Sequence, residues 1–367
     1  MAKLTTAYVG LGSNLGDREH SIKAALKMLS EAPNIEVARV SELIETTPLG
    51  DANQPKYLNG VAEIKTTLSA EDLHEKSVDI EVSLGRVQKE KWSPRIIDLD
   101  LLLFGDEIVN SPDLTVPHPQ MHLRSFVLKG LCRLNPQLLH PVIKESINEL
   151  AARLGGTDFA PNPSLPQLVN VAGIIGVGKT TLAKKLANLF DGKLLLEPYD
   201  TNPFMPGVYA GEKELALDSQ LFFLTGRIEQ LNHNTLAQGQ IAISDYVFNK
   251  ELIYARRLLN AQQLSLYEKI YQPFSSKVVL PVLVIYLQDS AQKCLQRIHG
   301  RNRPYEQQIQ LQFLETLSSD YEQLFAHWKT SPVIRVSMSK LDCMKDSDID
   351  HLANQIRSYI ANKSGKA

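Results

Sequence analysis

The sequence predicts two domains of different class: an α+β sandwich, then an α/β unit built on a parallel sheet. Three observations carry this. Residues 153–167, RLGGTDFAPNPSLPQ, hold three prolines and two adjacent glycines with no hydrophobic period, a density that helices do not survive. Before that break, short β-rich stretches mix with two helical periods in no strict alternation. After it, apolar strands such as QIAISD (240–245), VLVIYL (282–287) and VIRVSM (333–338) are separated by long helical stretches, the pattern of a parallel sheet covered on both faces. The expected boundaries are a first domain over 1–155, a linker over 156–167 and a second domain over 168–367.

In the first domain, TAYVGLG (6–12) reads as a strand that runs into SNLGDRE, a turn rich in helix-capping residues. Ile22, Ala25, Leu26 and Leu29 then recur at helical spacing. ARVSELIET and YLNGVAEIKT are β-rich, and a second helix runs from Ser69 to about Leu84 with Leu73, Ser77, Ile80 and Leu84 on one side. The chain returns to a strand at WSPRIIDLDLLLFG (92–105). Two helices among about four strands predict a ferredoxin-like sandwich. In the second domain, QLVNVAG is a short strand that enters a glycine loop and a helix with Leu182, Leu186 and Leu189 on one face.

Composition narrows the function classes. Lys+Arg number 39 and Asp+Glu 41, a net charge of −2, so no bulk field attracts nucleic acid. The three cysteines, Cys132, Cys294 and Cys343, are far apart and form no C-x-x-C, which points to neither a disulfide framework nor a zinc site. No apolar run approaches a membrane span and MAKLTTAYVG lacks a signal core, so a cytoplasmic location is expected, with no membrane partner.

Asp98 and Asp100 stand one residue apart in the apolar strand 92–105. Alternation puts both on one face, roughly 6–7 Å apart along the chain. Like charges that close beside a core are costly unless a cation lies between them. The plain alternative is an edge strand whose aspartates face water. Arg86, Arg95, His118 and Arg124 accompany the pair, the last two in a loop stiffened by Pro117 and Pro119. Two carboxylates favour Mg²⁺, and arginines supply forked donors for phosphate oxygens. That equipment suits in-line transfer from a polyphosphate. An RNA-binding reading is set aside: the aromatic strand such modules use is missing, and paired aspartates repel phosphate without a metal.

YVGLGSNLGDRE, TTPLG, YLNG, GRV…KWSPRIIDLDLLLFG and TVPHPQMHLRSFVL occur in order across residues 8–128. In these blocks the first domain resembles 6-hydroxymethyl-7,8-dihydropterin pyrophosphokinase. The resemblance implies that the pterin's hydroxymethyl group attacks the β-phosphorus of ATP, taking pyrophosphate and releasing AMP. It implies two Mg²⁺ ions on Asp98 and Asp100, and triphosphate binding and charge stabilisation by Arg86, Arg95, His118 and Arg124. It implies a pterin site of Tyr57, Asn59, Trp92, Phe126, Thr46 and Leu49. The GSN turn (12–14) reads as structural. Some members carry a basic residue two positions after Arg86, where this chain has Gln88.

GIIGVGKTT (173–181) matches G-x-x-x-x-G-K-T between a predicted strand and helix. Gly173, Gly176 and Gly178 permit a turn that aims N–H groups at phosphates, with Lys179 reaching toward the β- and γ-phosphates. Thr180, followed by Thr181, offers a hydroxyl to one Mg²⁺ ion. Glu197 follows the next strand, where an acceptor crevice lies, and could take a hydroxyl proton. Asp245 ends QIAISD, and Arg297, Arg301 and Arg303 cluster in RIHGRNRPYE (297–306), suited to a lid over phosphates.

EPY…NPF, DSQLFFLTGR, SDYVFNKELIYARRLL and RIHGRNRPYE make the second domain resemble the deoxynucleoside kinases across residues 168–330. That implies ATP as donor, a deoxynucleoside as acceptor and Glu197 as the 5′-hydroxyl base. It also implies Gln220 as the base-reading amide, Tyr209 and Glu306 near the sugar, the three arginines in the lid, and a homodimer as an option. Many members carry Arg after the acidic residue matched to Asp245, where this chain has Tyr246. Two alternatives stay open. A thymidylate-kinase-like enzyme needs an acceptor-side arginine, for which Arg227 is the nearby candidate. A non-catalytic nucleotide-binding module would regulate the first domain.

Overall fold

The computed structural model describes residues 3–48, 54–86, 94–303 and 306–361. The chain divides into two compact units, Met1–Ala160 and Pro161–Ala367. The residues just after 155 do not form a free linker. Phe159 packs against the first unit's core and donates its N–H to the Leu123 carbonyl at 3.0 Å. On the other side, the Gln167 amide donates back to the Asn162 and Leu165 carbonyls at 2.9 and 2.7 Å.

The first unit runs β1 (Thr5–Ser13), α1 (Arg18–Glu31), β2 (Ile35–Val40), β3 (Ile44–Thr46), β4 (Tyr57–Thr66), α2 (Ala70–Ser83), β5 (Asp98–Phe104), a small hairpin of β6 (Val109–Asn110) and β7 (Thr115–Val116), α3 (Ser125–Leu134) and α4 (Ile147–Leu154). The antiparallel sheet has the order β2-β4-β1-β5, with β3 also on β4. This is the ferredoxin-like β-α-β-β-α-β arrangement expected from the sequence. Asp17 caps α1, accepting the His20 N–H at 3.0 Å, and Ser69 with Asp72 forms a capping box on α2.

Alternation splits β1 between two cores: Ala7, Val9 and Leu11 face α1 and α2, whereas Tyr8 faces α3 and α4. Those last two helices are additions to the expected pair. The TVPHPQMHLRSF stretch is accordingly not all loop: Arg124 caps α3 and Phe126 lies in its first turn. Their signals were present. Val127, Leu128, Leu131 and Leu134 share a helical face, and Ser146-x-x-Glu149 is a capping box. Arg153 and Leu154, placed in the expected break, are the last turn of α4.

The second unit runs β8 (Gln167–Ala172), α5 (Lys179–Leu189), β9 (Lys193–Leu195), α6 (Met205–Ala210), α7 (Ala216–Gln230), β10 (Ile241–Ser244), α8 (Lys250–Leu258), α9 (Ala261–Ser275), β11 (Leu283–Gln288), α10 (Ala291–Gly300), α11 (Leu311–Ala326), β12 (Val333–Ser337) and α12 (Asp346–Arg357). Its sheet is parallel, in the order β12-β11-β8-β10-β9, as expected. Strand order reverses around β8, so the ends of β8, β9 and β10 open on one crevice. Two details differ from expectation. Leu189 is 40% exposed, and Ala183 and Ala187 complete the buried stripe of α5 with Leu182 and Leu186. β12 is an edge strand, so Arg335 reaches solvent there and pairs with Glu322 at 2.7 Å. Among the described residues no helix is long and apolar enough to cross a membrane.

Candidate functional site

In the first unit the register builds one row across the sheet. Asn59 on β4 stands opposite Gly12 on β1, and Gly12 opposite Asp98 on β5. Asp100 stands opposite Gly10. A Cβ on Gly12 would lie 3.1 Å from the Asn59 side-chain oxygen and 3.6 Å from the Asp98 Cβ, so the absent side chain leaves both polar groups room on one face. Gly12 of the GSN turn thus belongs to this row as well as to the strand.

β5 is indeed an edge strand, yet Asp98 does not simply face water. Arg95 Nη1 lies 2.9 Å from each of its oxygens, and Arg86 Nη1 lies 2.7 Å from Oδ1. Arg86 also pairs with Glu81, a residue the sequence reading passed over. Glu81 is 5% exposed and accepts the Leu99 N–H at 2.6 Å. Burial pushes its carboxyl up to about 7, against the pull of the Leu99 N–H and Arg86. Its signal was a charged residue beside Ser77 and Ile80 on the inner face of α2. Asp100 is exposed, on the strand that carries Asp98. Even so, desolvation, and next the Asp98 charge, raise its carboxyl above the ordinary aspartate range.

Asn59 donates to the Thr46 hydroxyl at 2.7 Å, and Tyr57 pairs with Thr46 across β3 and β4. Burial raises the Tyr57 hydroxyl, and the charges of Arg95 and Asp98 both act on it. His118 accepts the Gln120 N–H on Nδ1 at 3.3 Å, and its charge acts on Asp100. Arg124 is buried and donates to the Gln120 side chain. Phe126 lies one turn before Gly130, which abuts Val61, so α3 covers the sheet face that carries Asn59. Leu49 and Trp92, with Gln88, lie outside the described residues.

In the second unit β8 leads into the glycine loop. Gly173 and Gly176 have φ of 141° and 79°, and a Cβ on either would come within 2.7 Å or 2.5 Å of a backbone oxygen of Leu287 or Cys294. No side chain fits there, and Gly178 (φ 109°) caps α5. Lys179 donates to the Ile174 carbonyl at 2.8 Å, folded back over its own loop. Thr181 is exposed on the same helical turn. Asp245 joins the loop to the next element: its Oδ2 accepts the Thr180 hydroxyl at 2.6 Å, and its Oδ1 accepts the Glu197 N–H at 2.9 Å.

The Glu197 side chain is 7% exposed, with Arg227 on one oxygen and Lys250 on the other at 2.6 Å. Burial alone would raise its carboxyl; Lys250 and Arg227 instead hold it down at about 2. Arg227 also pairs with the fully buried Glu251, to which Tyr267 donates. Tyr246 turns into the core, its hydroxyl on the Gln230 side chain at 2.7 Å. Sequence reasoning missed Lys250, Glu251 and Tyr267, and weighed Arg227 only as a phosphate ligand. The available signal was a charged residue on the buried face of α7, one turn after Phe223.

A cavity of about 280 Å³ opens beside Glu197, lined by Tyr209, Gln220, Phe223, Arg227, Lys250 and Tyr254 among others. Glu306 is fully buried outside that lining and receives Arg301 at 2.6 and 2.7 Å, with Arg303 at 3.6 Å. Arg297 pairs with Asp289 at 2.6 Å and reaches the Gly176 carbonyl at 3.4 Å. Arg297 therefore flanks the glycine loop, whereas Arg301 and Arg303 gather on Glu306.

The family model for 7,8-dihydro-6-hydroxymethylpterin-pyrophosphokinase matches residues 8–136, and that for deoxynucleoside kinase matches residues 169–361. The chain is 44% identical over 134 residues to the 2-amino-4-hydroxy-6-hydroxymethyldihydropteridine pyrophosphokinase of Pseudomonas aeruginosa, a match taking in 36% of this chain and 83% of that protein. It is 39% identical over 151 residues to the protein of the same name from Haemophilus influenzae, covering 40% of this chain and 94% of that one. Among solved structures, a deoxyadenosine kinase from M. mycoides is 22% identical, with 52% of this chain and 99% of that chain covered and a TM-score of 0.46. The chain belongs to the 7,8-dihydro-6-hydroxymethylpterin-pyrophosphokinase family through its first unit and to the deoxynucleoside kinase family through its second.

Proposed function

We propose that the chain is a bifunctional ATP-dependent transferase. The first unit transfers pyrophosphate from ATP to 6-hydroxymethyl-7,8-dihydropterin, a step of folate biosynthesis, and the second phosphorylates the 5′-hydroxyl of a deoxynucleoside. The observation that carries the first half is the row Asn59–Gly12–Asp98, which sets a ring-edge amide and a carboxylate side by side with no side chain between them.

The donor set fits Mg²⁺. Among the described residues no group of three or more His, Cys, Asp or Glu forms a cage. Mg²⁺ needs none: it takes one or two carboxylates and completes its shell with phosphate oxygens and water. Asp98 and Asp100 would hold two ions, which neutralise charge along the triphosphate. Arg86 and Arg95, which pair with Asp98, would turn to phosphate oxygens, joined by His118 and Arg124. Thr46, Tyr57 and Asn59 would orient the pterin with Leu49, Trp92 and Phe126, which places its hydroxymethyl oxygen for in-line attack.

In the second unit Lys179 and the Gly173–Gly178 loop would hold the donor phosphates, with Thr180 and Thr181 beside one Mg²⁺. Arg297, Arg301 and Arg303 would close over them. Glu197, backed by Asp245, would take the acceptor's proton, while Gln220 reads the base and Tyr209 and Glu306 stand near the sugar. Two observations favour a nucleoside over a nucleotide acceptor. Arg227 is already shared by two carboxylates, Glu197 and Glu251, and Lys250 is paired with Glu197. While Glu197 is ionised, as it is when an acceptor binds, both cations are already paired and an acceptor monophosphate would have to displace one of them. The same reading sets the chain in the cytoplasm, acting on small molecules, and a homodimer is compatible with it.

The test is a product assay on the whole chain with MgATP, given the pterin or each deoxynucleoside in turn, with products identified by mass. Pterin diphosphate plus AMP, lost in Asp98→Ala alone, is the expected result for the first unit. A deoxynucleoside monophosphate plus ADP, lost in Lys179→Ala alone, is expected for the second. Thymidylate turnover in place of nucleoside turnover would overturn the acceptor assignment, and ATP binding without any acceptor turnover would favour a regulatory module.

A further inference from the structure

We propose that Lys250 is a catalytic residue of the second unit, contacting the transferred phosphoryl group once Glu197 has taken the acceptor's proton; the proposal rests on the nucleoside-kinase reading of that unit. Charge matching comes first. Arg227 is one guanidinium between two buried carboxylates, Glu197 and Glu251, and Lys250 supplies the cation that balances the second. Tyr246, next to Asp245, turns into the core and offers none.

Placement comes second. Lys250 is the first residue of α8, where the helix dipole opposes a positive charge, and it is 4% exposed. Folding gains little from a buried ammonium in such a position, so a cation kept there marks a site rather than a structural pair. Its Nζ lies 2.6 Å from Glu197 Oε2, the residue lines the cavity beside Glu197, and the charge of Lys179 from the glycine loop acts on both. Burial lowers the ammonium to about 8, with Glu197 limiting the fall, so it remains charged at neutral pH.

Glu197 accepts the 5′-hydroxyl proton. The oxygen–γ-phosphorus bond forms as the bond to the β,γ-bridging oxygen breaks, and that electron pair leaves on ADP. Glu197 is then neutral and no longer holds Lys250. The ammonium, freed at the moment charge gathers on the phosphoryl oxygens, donates to them.

The experiment uses the full chain with the deoxynucleoside that wild type turns over best, and the pterin reaction followed in the same preparation. In Lys250→Met, kcat for the nucleoside should fall about 10²–10³-fold while ATP affinity by calorimetry stays within about 3-fold. The variant should also gain an acid limb in its pH profile that wild type lacks, because losing Lys250 lets the Glu197 carboxyl rise. A kcat within about 3-fold of wild type, or a pH profile without the new limb, overturns the proposal. If Lys250→Met loses ATP binding altogether, Lys250→Arg decides. At least about a tenth of wild-type kcat supports the proposal, and less than that with ATP binding intact overturns it. A wild-type chain that phosphorylates no deoxynucleoside sinks the underlying reading, whereas an active wild type with an unimpaired Lys250→Met sinks the Lys250 assignment alone.

Discussion

Asn14 and Arg95 hold each other in both directions. The Asn14 N–H donates to the Arg95 carbonyl at 3.1 Å, and the Asn14 side-chain oxygen accepts the Arg95 N–H at 2.8 Å. The buried Asn14 therefore fixes the backbone from which the Arg95 guanidinium reaches Asp98. Asn14→Ala should lower pterin kcat/KM by about 10²-fold through misplacement of Arg95. It should also cost the first unit about 1–3 kcal/mol, because the Arg95 N–H loses its partner. Steady-state kinetics and denaturant unfolding check both; unchanged kinetics would separate Asn14 from the site.

Gly12→Ala tests the row across the sheet. The new Cβ would press on the Asn59 side-chain oxygen from 3.1 Å. Asn59 must then yield, and with it the bond to Thr46. The expected outcome is a KM for pterin raised about tenfold or more with ATP binding intact, since tight sites lose about 1–3 kcal/mol when overpacked. Equal losses in both substrates would indicate a general collapse of the strand instead.

Glu197→Gln keeps the shape and removes the base. Nucleoside phosphorylation should drop about 10²–10⁴-fold, the range for a general base, with pterin turnover in the same chain unaffected. Rapid-quench measurement of a single turnover would tell this from slowed product release.

His140 gives a pH prediction. It is 4% exposed, its Nδ1 accepts the Val142 and Ile143 N–H groups at 3.3 and 3.2 Å, and His122 packs edge-on at 5.9 Å. Burial, and next the neighbouring His122, push its pKa down to about 3. The folded unit thus binds fewer protons than the unfolded chain between the ordinary histidine value of about 6.5 and about 3, so this contribution to stability is lost as pH falls through that window. Its slope is at most about 1.4 kcal/mol per pH unit. Glu81, raised to about 7, acts with the opposite sign above the ordinary glutamate range, so the effect must be read against a variant. His140→Asn retains an acceptor for the turn and should flatten the slope below about pH 6, followed by hydrogen exchange of β5 and α3. Parallel slopes would show that His140 is not the group responsible.

Much of both candidate sites could be proposed from sequence because the residues that suggest them are local. The Asp98–Leu99–Asp100 alternation and the Gly173–Thr180 loop each fit within a few residues, and the two fold classes follow from strand and helix periods. What could not be read was side-chain pairing between distant elements. Glu81 reaches Arg86 and the Leu99 backbone from α2, and Lys250 reaches Glu197 from α8. Both lie inside helical periods that by themselves indicate only a helix. α3 and α4 carry their own helical signals, but Pro117 and Pro119 just before them also mark a turn.

The sheet carries one further consequence. Pairing of β5 with β1 slips at Tyr8 and Val9, which face Leu103 and Leu101, so Leu102 is a supernumerary residue. Leu102 and Leu103 accordingly enter the same core, while Leu99, Leu101 and Phe104 enter the other. The slip works as a phase break between the acidic end of the strand and its packing end. One residue can be gained or lost at that point without swinging Asp98 and Asp100 to the opposite face, so the two ends are free to change in length independently.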